Sequence, residues 1–453
     1  MRYSKYPSYR DSGVEWLGEV PTDYRYIRLK FLGKTFGGLS GKAGKDFNQE
    51  DNDDNKSFIP FTNIANNHYI QPNNLGTVTI ASDESQNQVK KNDLFFLMSS
   101  EGYEDLGKSS LLEFDMNESY LNSFCKGFRI LNGSINPKYL NYLLSGDTYR
   151  QLLYTQGNGF TRINLRLEKL NDLPLLIANT LQEQKTIANY LDIATAKIDS
   201  LIEKQTKLIA LLKEKRQAVI STAVTRGLDS TVAMKDSGVE WLGEIPEAWT
   251  QTPLRYIGRL QNGISKGGDY FGSGFPFINY GDIYKNGTLP LHVKGLAKSN
   301  KEDQHIYSVR TGDVFFTRTS ETIDDIGMAA TCVETINNAT FSGFTIRFRQ
   351  LKRVLNENFS KYYFRTGHAQ AFFEEQLNLV TRASLGQDIL KQLPVLLPPM
   401  EEQEVIANYL DDKTSKIDIL ISKSTKAIDL LKEKRTALIS SAVSGKIDVR
   451  ESA

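Results

Sequence analysis

Apolar residues in the stretch Thr180 to Val224 recur at alternating spacings of four and three: Ile187, Leu191, Ala194, Ile198, Leu201, Gln205, Leu208, Leu212, Lys215 and Val219. A period near 3.5 is that of a helix with one adhesive face of coiled-coil type. At an offset of 219 the pattern returns in Pro399 to Val443 as Ile406, Leu410, Lys413, Ile417, Leu420, Ser424, Ala427, Leu431, Lys434 and Leu438. Ile202, Ile209 and Ile220, with Ile421, Ile428 and Ile439, widen both stripes. Thr180 and Glu183 have capping-box spacing, and Pro399 suits the first turn of the second helix. Some 42 residues at about 1.5 Å each predict a rod of roughly 60 Å. Polar Gln205 and Lys215, with Ser424 and Lys434, interrupt the two stripes at matching levels. They serve register control or partner contact, or are the exposed flank of an imperfect coil.

Ahead of each predicted helix lies a second repeat. DSGVEWLGEVP at 11–21 returns as DSGVEWLGEIP at 236–246, so the chain is a tandem duplication of marker, globular segment and long helix. Trp16 and Trp241 read as packing anchors. The globular segments, 22–179 and 247–398, have a mixed α/β pattern. Short apolar runs Leu29–Gly33 and Leu254–Gly258 lead into glycine-containing turns, and PFTNI at 60–64 is matched with PFINY at 276–280. Asp93–Leu97 and Asp313–Phe316 are short apolar runs of buried-strand type. Helices follow at INPKYLNYLLSG, capped by Asn136 with Pro137 behind it, and at LNENFSKYYFRTG. LPLLI and LPVLLPP then lead into the long helices. The expected division is 1–179, a recognition-type globular domain; 180–226, a helix; 227–398, a second such domain with a linker at 227–246; and 399–453, a helix. Frame segments are nearly copied between the halves, whereas most loop residues differ.

Composition narrows the class only modestly. With 453 residues, 40% hydrophobic and 24% charged, the chain has the make-up of a globular protein. No apolar run reaches the ~20 residues of a membrane span, and the expected location is the cytoplasm. Cys125 and Cys332 lie in different halves without ligand-type neighbours, and the four histidines are scattered, so two buried thiols and no metal site are expected. Net charge is +1; residues 22–179 carry 17 Lys plus Arg against 18 Asp plus Glu, and residues 247–398 carry 17 against 14. A nucleic-acid ligand would require charge sorted to one face, or a partner sharing the phosphate grip.

Catalytic chemistry finds no foothold. GYEDLGKS, Gly102 to Ser109, satisfies the phosphate-loop pattern, but that chemistry needs a helix behind the loop, and the duplicate TIDDIGMA, Thr322 to Ala329, lacks the first glycine, the lysine and the serine. FGSG at 271–274 is not accompanied by an Asn-Pro-Pro-aromatic or Asp-Pro-Pro-aromatic tetrapeptide, which argues against methyl transfer. The acidic run Glu50 to Asp54 reads as a solvated loop. Catalytic and metal residues are therefore expected to be absent. Loops offer candidates for DNA contact instead, because small residues admit close backbone approach and neighbouring cations reach phosphate or base edges. These are Ser40, Lys42, Lys45, Ser99, Lys108, Thr161 and Arg162 in the first half, and Ser265, Lys266, Tyr270, Arg318, Thr319, Thr381 and Arg382 in the second. Arg318 to Ser320 are matched with Ser99 to Glu101.

Marker, variable domain, LPLL strand, EQKTIANYLD helix with LLKEKR and AVTRGLD, and the second round through EEQEVIANYLD to AVSGKID, together resemble the DNA specificity subunit of type I restriction-modification enzymes. The resemblance spans essentially the whole chain. It implies a non-catalytic protein in which two target-recognition domains are joined by two antiparallel coiled-coil helices with internal pseudo-two-fold symmetry, each domain reading half of a bipartite, asymmetric duplex DNA site. It further implies two docked methyltransferase subunits, which modify adenine N6, and restriction or motor subunits held through them. S-adenosylmethionine, ATP and magnesium would belong to those partners and not to this chain. Competing classes are a phosphate-loop NTPase, which would hydrolyse ATP alone, and a coiled-coil adaptor without sequence-specific DNA binding.

Overall fold

A computed structural model of the chain describes residues 4–13, 18–47, 54–131, 133–159, 161–320, 325–376 and 383–451. Trp16, Glu50 to Asp53, and Thr322 to Asp324 of TIDDIGMA lie outside the described residues. Two compact units divide the chain: Met1–Gln205 with Lys426–Ala453, and Thr206–Thr425. Each contains one globular segment and a length of both long helices, Leu181–Arg226 and Met400–Val443.

Within the first unit a four-stranded antiparallel sheet has the order Gly33–Gly37, Cys125–Ile130, Leu94–Leu97, Ser109–Leu111. LFFL is buried on both faces, as an unbroken apolar run requires. A three-stranded sheet places Asn55–Ile59 between Ser119–Leu121, which is parallel to it, and antiparallel Gly76–Thr79. Arg25–Arg28 pairs with Pro174–Ile177, the strand that delivers the chain into the first long helix. The second unit repeats this plan with Gly258–Asn262, Thr345–Gln350, Val314–Thr317 and Ala329–Thr331 in its four-stranded sheet, and Thr250–Pro253 paired with Pro394–Leu397.

Sheet register corrects two of the expected matches. Ile59 lies opposite Leu121 and Ile278 opposite Phe341, so the partner of Pro60 is Asn279, and PFTNI does not correspond to PFINY. Pro60 and Asn279 both sit at helix starts, ahead of Phe61–Asn66 and Tyr280–Tyr284, whereas Pro276 lies within a strand. Likewise Ser99 faces Asn164 as Thr319 faces Ser384, which pairs Thr319 with Ser99 and Arg318 with Met98.

The helix Pro137–Ser145 is capped as expected, the Asn136 side chain accepting from the Tyr139 amide, and Asn356 caps Glu357–Tyr363 in the same way. In the first unit, Ile187, Leu191 and Ile198 share a core with Leu438, Ile439 and Val443. In the second, Ile220 and Val224 share one with Ile406 and Leu410. Early turns of one long helix therefore lie with late turns of the other, the arrangement of an antiparallel pair. Asp199 accepts from Arg435 at 2.9 Å in the first unit, and Asp418 accepts from Arg216 at 2.9 Å in the second.

Three of the twelve leucine and isoleucine seam residues are out of phase by one residue. Ile187, Leu191, Ile198, Leu212, Ile406, Leu410, Ile417 and Leu438 are buried and Leu431 is half-buried, but Leu201, Leu208 and Leu420 are 46%, 42% and 48% exposed. Half-buried Ile202, Ile209 and Ile421 turn inward in place of those leucines, Thr414 in place of Lys413, and Arg216 and Arg435 in place of the two lysines, while Ala194 stays packed against the core beside buried Thr195, and Ala427 and Ile428 are both half-buried. A step of four at Leu191 to Thr195, and again at Leu410 to Thr414, moves the stripe round because these turns face the globular domain. Both cysteines are buried and free, and burial pushes both thiols up to about 12. Trp241 is an anchor, its indole donating to Glu375 at 3.1 Å beside Phe372. Among the described residues no helix is long and apolar enough to cross a membrane.

Candidate nucleic-acid interface

One end of each four-stranded sheet collects most of the candidate residues. In the first unit Gly37, Cys125 and Leu97 meet at that end. The Leu39 amide donates to the Leu121 carbonyl at 2.7 Å, which lays the loop carrying Ser40 and Lys42 beside the turn Asn122–Phe124. Ser99–Ser100 pairs with Ile163–Asn164 and brings Thr161 and Arg162 to the same end. The Arg162 guanidinium lies 5.2 Å from the centroid of the Phe124 ring. Lys45 is exposed further along the first loop, in the turn Gly44–Asp46.

The second unit builds the corresponding end from Ser265, Arg318 and Thr319. The Gly343 amide donates to Ile264 at 2.8 Å and the Arg318 amide to Phe344 at 3.1 Å. A Cβ on Gly343 would stand 2.1 Å from the Ser265 hydroxyl, so the two loops touch closely here. Thr381 and Arg382 lie outside the described residues.

Several of the candidate charges are already engaged. Lys42 pairs with Glu84, which holds that carboxyl below its ordinary range. Gln86 donates to Glu84 and closes on the Ser40 backbone, accepting from its amide at 3.1 Å and donating to its carbonyl at 2.8 Å. Lys266 reaches Asp303 at 3.2 Å and lies 4.4 Å from the Tyr270 ring centroid, and the Tyr270 hydroxyl donates to Asp303 at 2.9 Å. Burial, and then Asp303, pushes this phenol up to about 12. Lys42, Lys266 and Tyr270 thus shape their loops, and DNA would have to draw them away from their carboxylates. Lys108 stands apart from the cluster. It pairs with Asp105 at 2.5 Å and donates to the Ala65 carbonyl at 3.1 Å, lining a cleft that also holds Asp192 and Arg435. Behind it Ser109–Leu111 is a strand, so the phosphate-loop pattern lacks its helix.

Two groups of residues escaped the sequence reading. Phe124 and Phe344, 52% and 66% exposed, occupy the same place in the two turns, one residue ahead of the central strand. The second group joins each globular domain to its long helix. Gln184, 1% exposed, accepts from the Asn136 amide at 2.8 Å and donates to the Ala178 carbonyl at 2.8 Å. Gln403, fully buried, accepts from Asn356 at 2.7 Å and donates to Val354 and Pro398, each at 2.9 Å. Tyr142 donates to Asp192 at 2.8 Å, and Tyr362 to Asp411 at 2.6 Å. The signal for the glutamines was present in LQEQ and MEEQ, where a polar residue precedes the apolar stripe by three positions in both copies.

The Type I restriction modification DNA specificity domain model matches residues 24–211 and 249–429. The StySPI specificity subunit of Salmonella potsdam is 24% identical over 400 residues, covering 87% of this chain and 83% of the relative. The EcoKI specificity subunit of Escherichia coli K12 is 23% identical, with the same coverages of 87% and 83%. Among solved structures, a chain from work on complex assembly and conformational transition of the type I R-M system superposes with a TM-score of 0.66 at 16% identity, covering 94% of this chain and 98% of that one. The HsdS subunit from Thermoanaerobacter tengcongensis gives 0.54 at 15% identity and the same coverages, 94% and 98%, a likeness of fold.

Proposed function

From membership of the type I restriction modification DNA specificity family, to which this chain belongs, we propose that it reads a bipartite, asymmetric duplex DNA site without catalysing a reaction itself. Each globular domain takes one half of the site through the sheet end where the candidate loops gather. Two methyltransferase subunits that modify adenine N6 seat on the domains and helices, and nuclease or motor subunits join through them. S-adenosylmethionine, ATP and magnesium act in those partners.

One contrast carries this reading. The junctions of the two domains are built from the same groups, Gln184 with Gln403 and Asp192 with Asp411, while the sheet ends present different side chains. A fixed frame holding two unlike recognition surfaces suits an asymmetric split site. The near-neutral domains fit a complex in which partners share the phosphate grip. Leu201 and Leu420, and Leu211 and Leu430, expose apolar side chains at matching levels of the long helices, the surface a partner would cover.

Co-expression with its methyltransferase, followed by genome-wide mapping of modified adenines, tests the proposal. A split, asymmetric motif is expected, and exchange of residues 22–179 for those of another family member should change one half of it alone. A methylome without a split motif, or an exchange that alters both halves, would overturn the reading.

A further inference from the structure

Phe124 and Phe344 occupy equivalent positions in turns of different sequence. Each is the third residue of a four-residue turn whose first residue does the structural work. The Phe124 amide donates to the Asn122 side chain at 2.9 Å, and the Cys125 amide to the Asn122 carbonyl at 3.1 Å. In the second unit the Phe344 amide donates to the Ser342 hydroxyl at 3.2 Å, and the Thr345 amide to the Ser342 carbonyl at 3.0 Å. Asn122 and Ser342 are therefore enough to set the turn, and neither ring is needed for it. Leu121 and Phe341, three residues before each ring, are fully buried and fasten the turn to the core. The rings stand out from a rigid base.

Isolated exposed apolar side chains are ordinary, but these two recur at one site in two domains whose loops otherwise diverge. Their surroundings are polar and cationic. Arg162 lies over one face of the Phe124 ring. Phe344 accepts through its carbonyl from the Arg318 amide, next to Ser265 and Thr319. An exposed aromatic ring at the tip of a fixed turn, with an arginine guanidinium over it in the first unit and the Arg318 backbone joined to its turn in the second, suits duplex DNA, which offers phosphates around apolar base surfaces.

We propose that Phe124 and Phe344 are base-contacting residues, one for each half of the DNA site, supplying apolar contact where the neighbouring arginines and hydroxyls supply charge and hydrogen bonds. This rests on the DNA-reading role proposed above. Because Asn122 and Ser342 hold the turns, removal of either ring leaves the fold intact and changes recognition.

The test uses the full chain in complex with its methyltransferase, two duplexes, one carrying the mapped motif and one scrambled, and the variants Phe124→Ala, Phe344→Ala, Phe124→Leu and Phe344→Leu. Each alanine variant should bind the motif about ten-fold more weakly, with scrambled DNA held to within about two-fold. Its methylome should be degenerate only in the half-site read by the altered domain, and the leucine variants should recover most of the loss. Motif affinity retained within about two-fold, equal loss on both duplexes, or failure to assemble with the methyltransferase would each overturn the assignment. The last outcome would mark the rings as a protein contact. If the unaltered complex yields no split motif, the DNA-reading role itself fails, and that result is known before any variant is made.

Discussion

The two units satisfy the same backbone demands with different side chains. The amide of Leu176 donates to the Tyr149 hydroxyl at 2.8 Å, and that of Leu396, its counterpart in the strand leading to the second long helix, donates to Tyr363 at 2.8 Å. Tyr149 comes from the helix Asp147–Thr155, whereas Tyr363 ends the preceding helix, the counterpart of Pro137–Ser145. Lys138 pairs with Asp192 at 2.9 Å, and Lys361 with Asp411 at 2.7 Å, although the lysines lie two and five residues after their capping asparagines. One helical turn separates those positions, so either lysine faces the aspartate. After duplication a buried amide or a carboxylate at the junction still had to be satisfied, while the residue that satisfied it was free to move. The glutamines did not move.

The most damaging way to break this parallel is at those glutamines. Gln184→Ala and Gln403→Ala each leave a capping-asparagine amide and one or two carbonyls unpaired inside the protein, at a cost of about 2–3 kcal/mol. Chemical denaturation of the two variants should show similar losses, with the loss at Gln403 slightly greater because it makes one more bond.

Acid should strain both units together. His68 and His368 are held neutral by burial, their pKa lowered to about 3, and around His68 the Arg435 charge adds to the effect while Asp192 opposes it. Below the ordinary value near 6.5 the unfolded chain takes up protons that the folded chain refuses, so stability falls with pH through the window from 6.5 towards 3. The slope approaches about 1.4 kcal/mol per pH unit for each ring. Unfolding measured at pH 7 and 5.5 should show the decline, and the variants His68→Gln and His368→Gln should each remove part of it.

Asp192 and Asp411 should sharpen the comparison by differing. Asp192 accepts from Tyr69 and Tyr142 and pairs with Lys138, whereas Asp411 accepts from Tyr362 and pairs with Lys361 in a more open setting. Asp192→Asn should cost about 1–2 kcal/mol and Asp411→Asn about half of that. Equal losses in calorimetry would show that Tyr69 contributes nothing to the first junction.

Strands, caps and the tandem plan were legible because each is a local matter. DLFFL and DVFF are apolar runs too short for helices, and Asn-Pro announces its own cap. The candidate interface was legible only as a set of loops, since its assembly depends on long-range pairs such as Leu39 with Leu121 and Ile264 with Phe341. Glu84 and Gln86, which fasten the Ser40 loop, sit more than forty residues from it, and no local pattern connects them. Phe124 and Phe344 were missed because an aromatic beside a strand reads as core until the register shows which way the turn presents it.

The smallest expected effect falls on the leucines that the heptad count placed inside. At Leu201 with Ile202, Leu208 with Ile209 and Leu420 with Ile421, two neighbouring aliphatics make both helix phases equally apolar, so spacing cannot choose between them. The globular domain chooses. Ile187, Leu191 and Ile198 are fixed in the first core, and continuing the helix from those points at about 100° per residue turns the isoleucines inward. Leu201→Ala and Leu420→Ala should then change the stability of the isolated chain by less than about 0.5 kcal/mol. Ile198→Ala, at 6% exposure, should cost about 2–4 kcal/mol. If thermal unfolding placed Leu201→Ala near Ile198→Ala, the phase described here would be wrong. If Leu201→Ala left the isolated chain unaffected but weakened co-purification of the methyltransferase, the outward leucines would be identified as the partner's share of the helix.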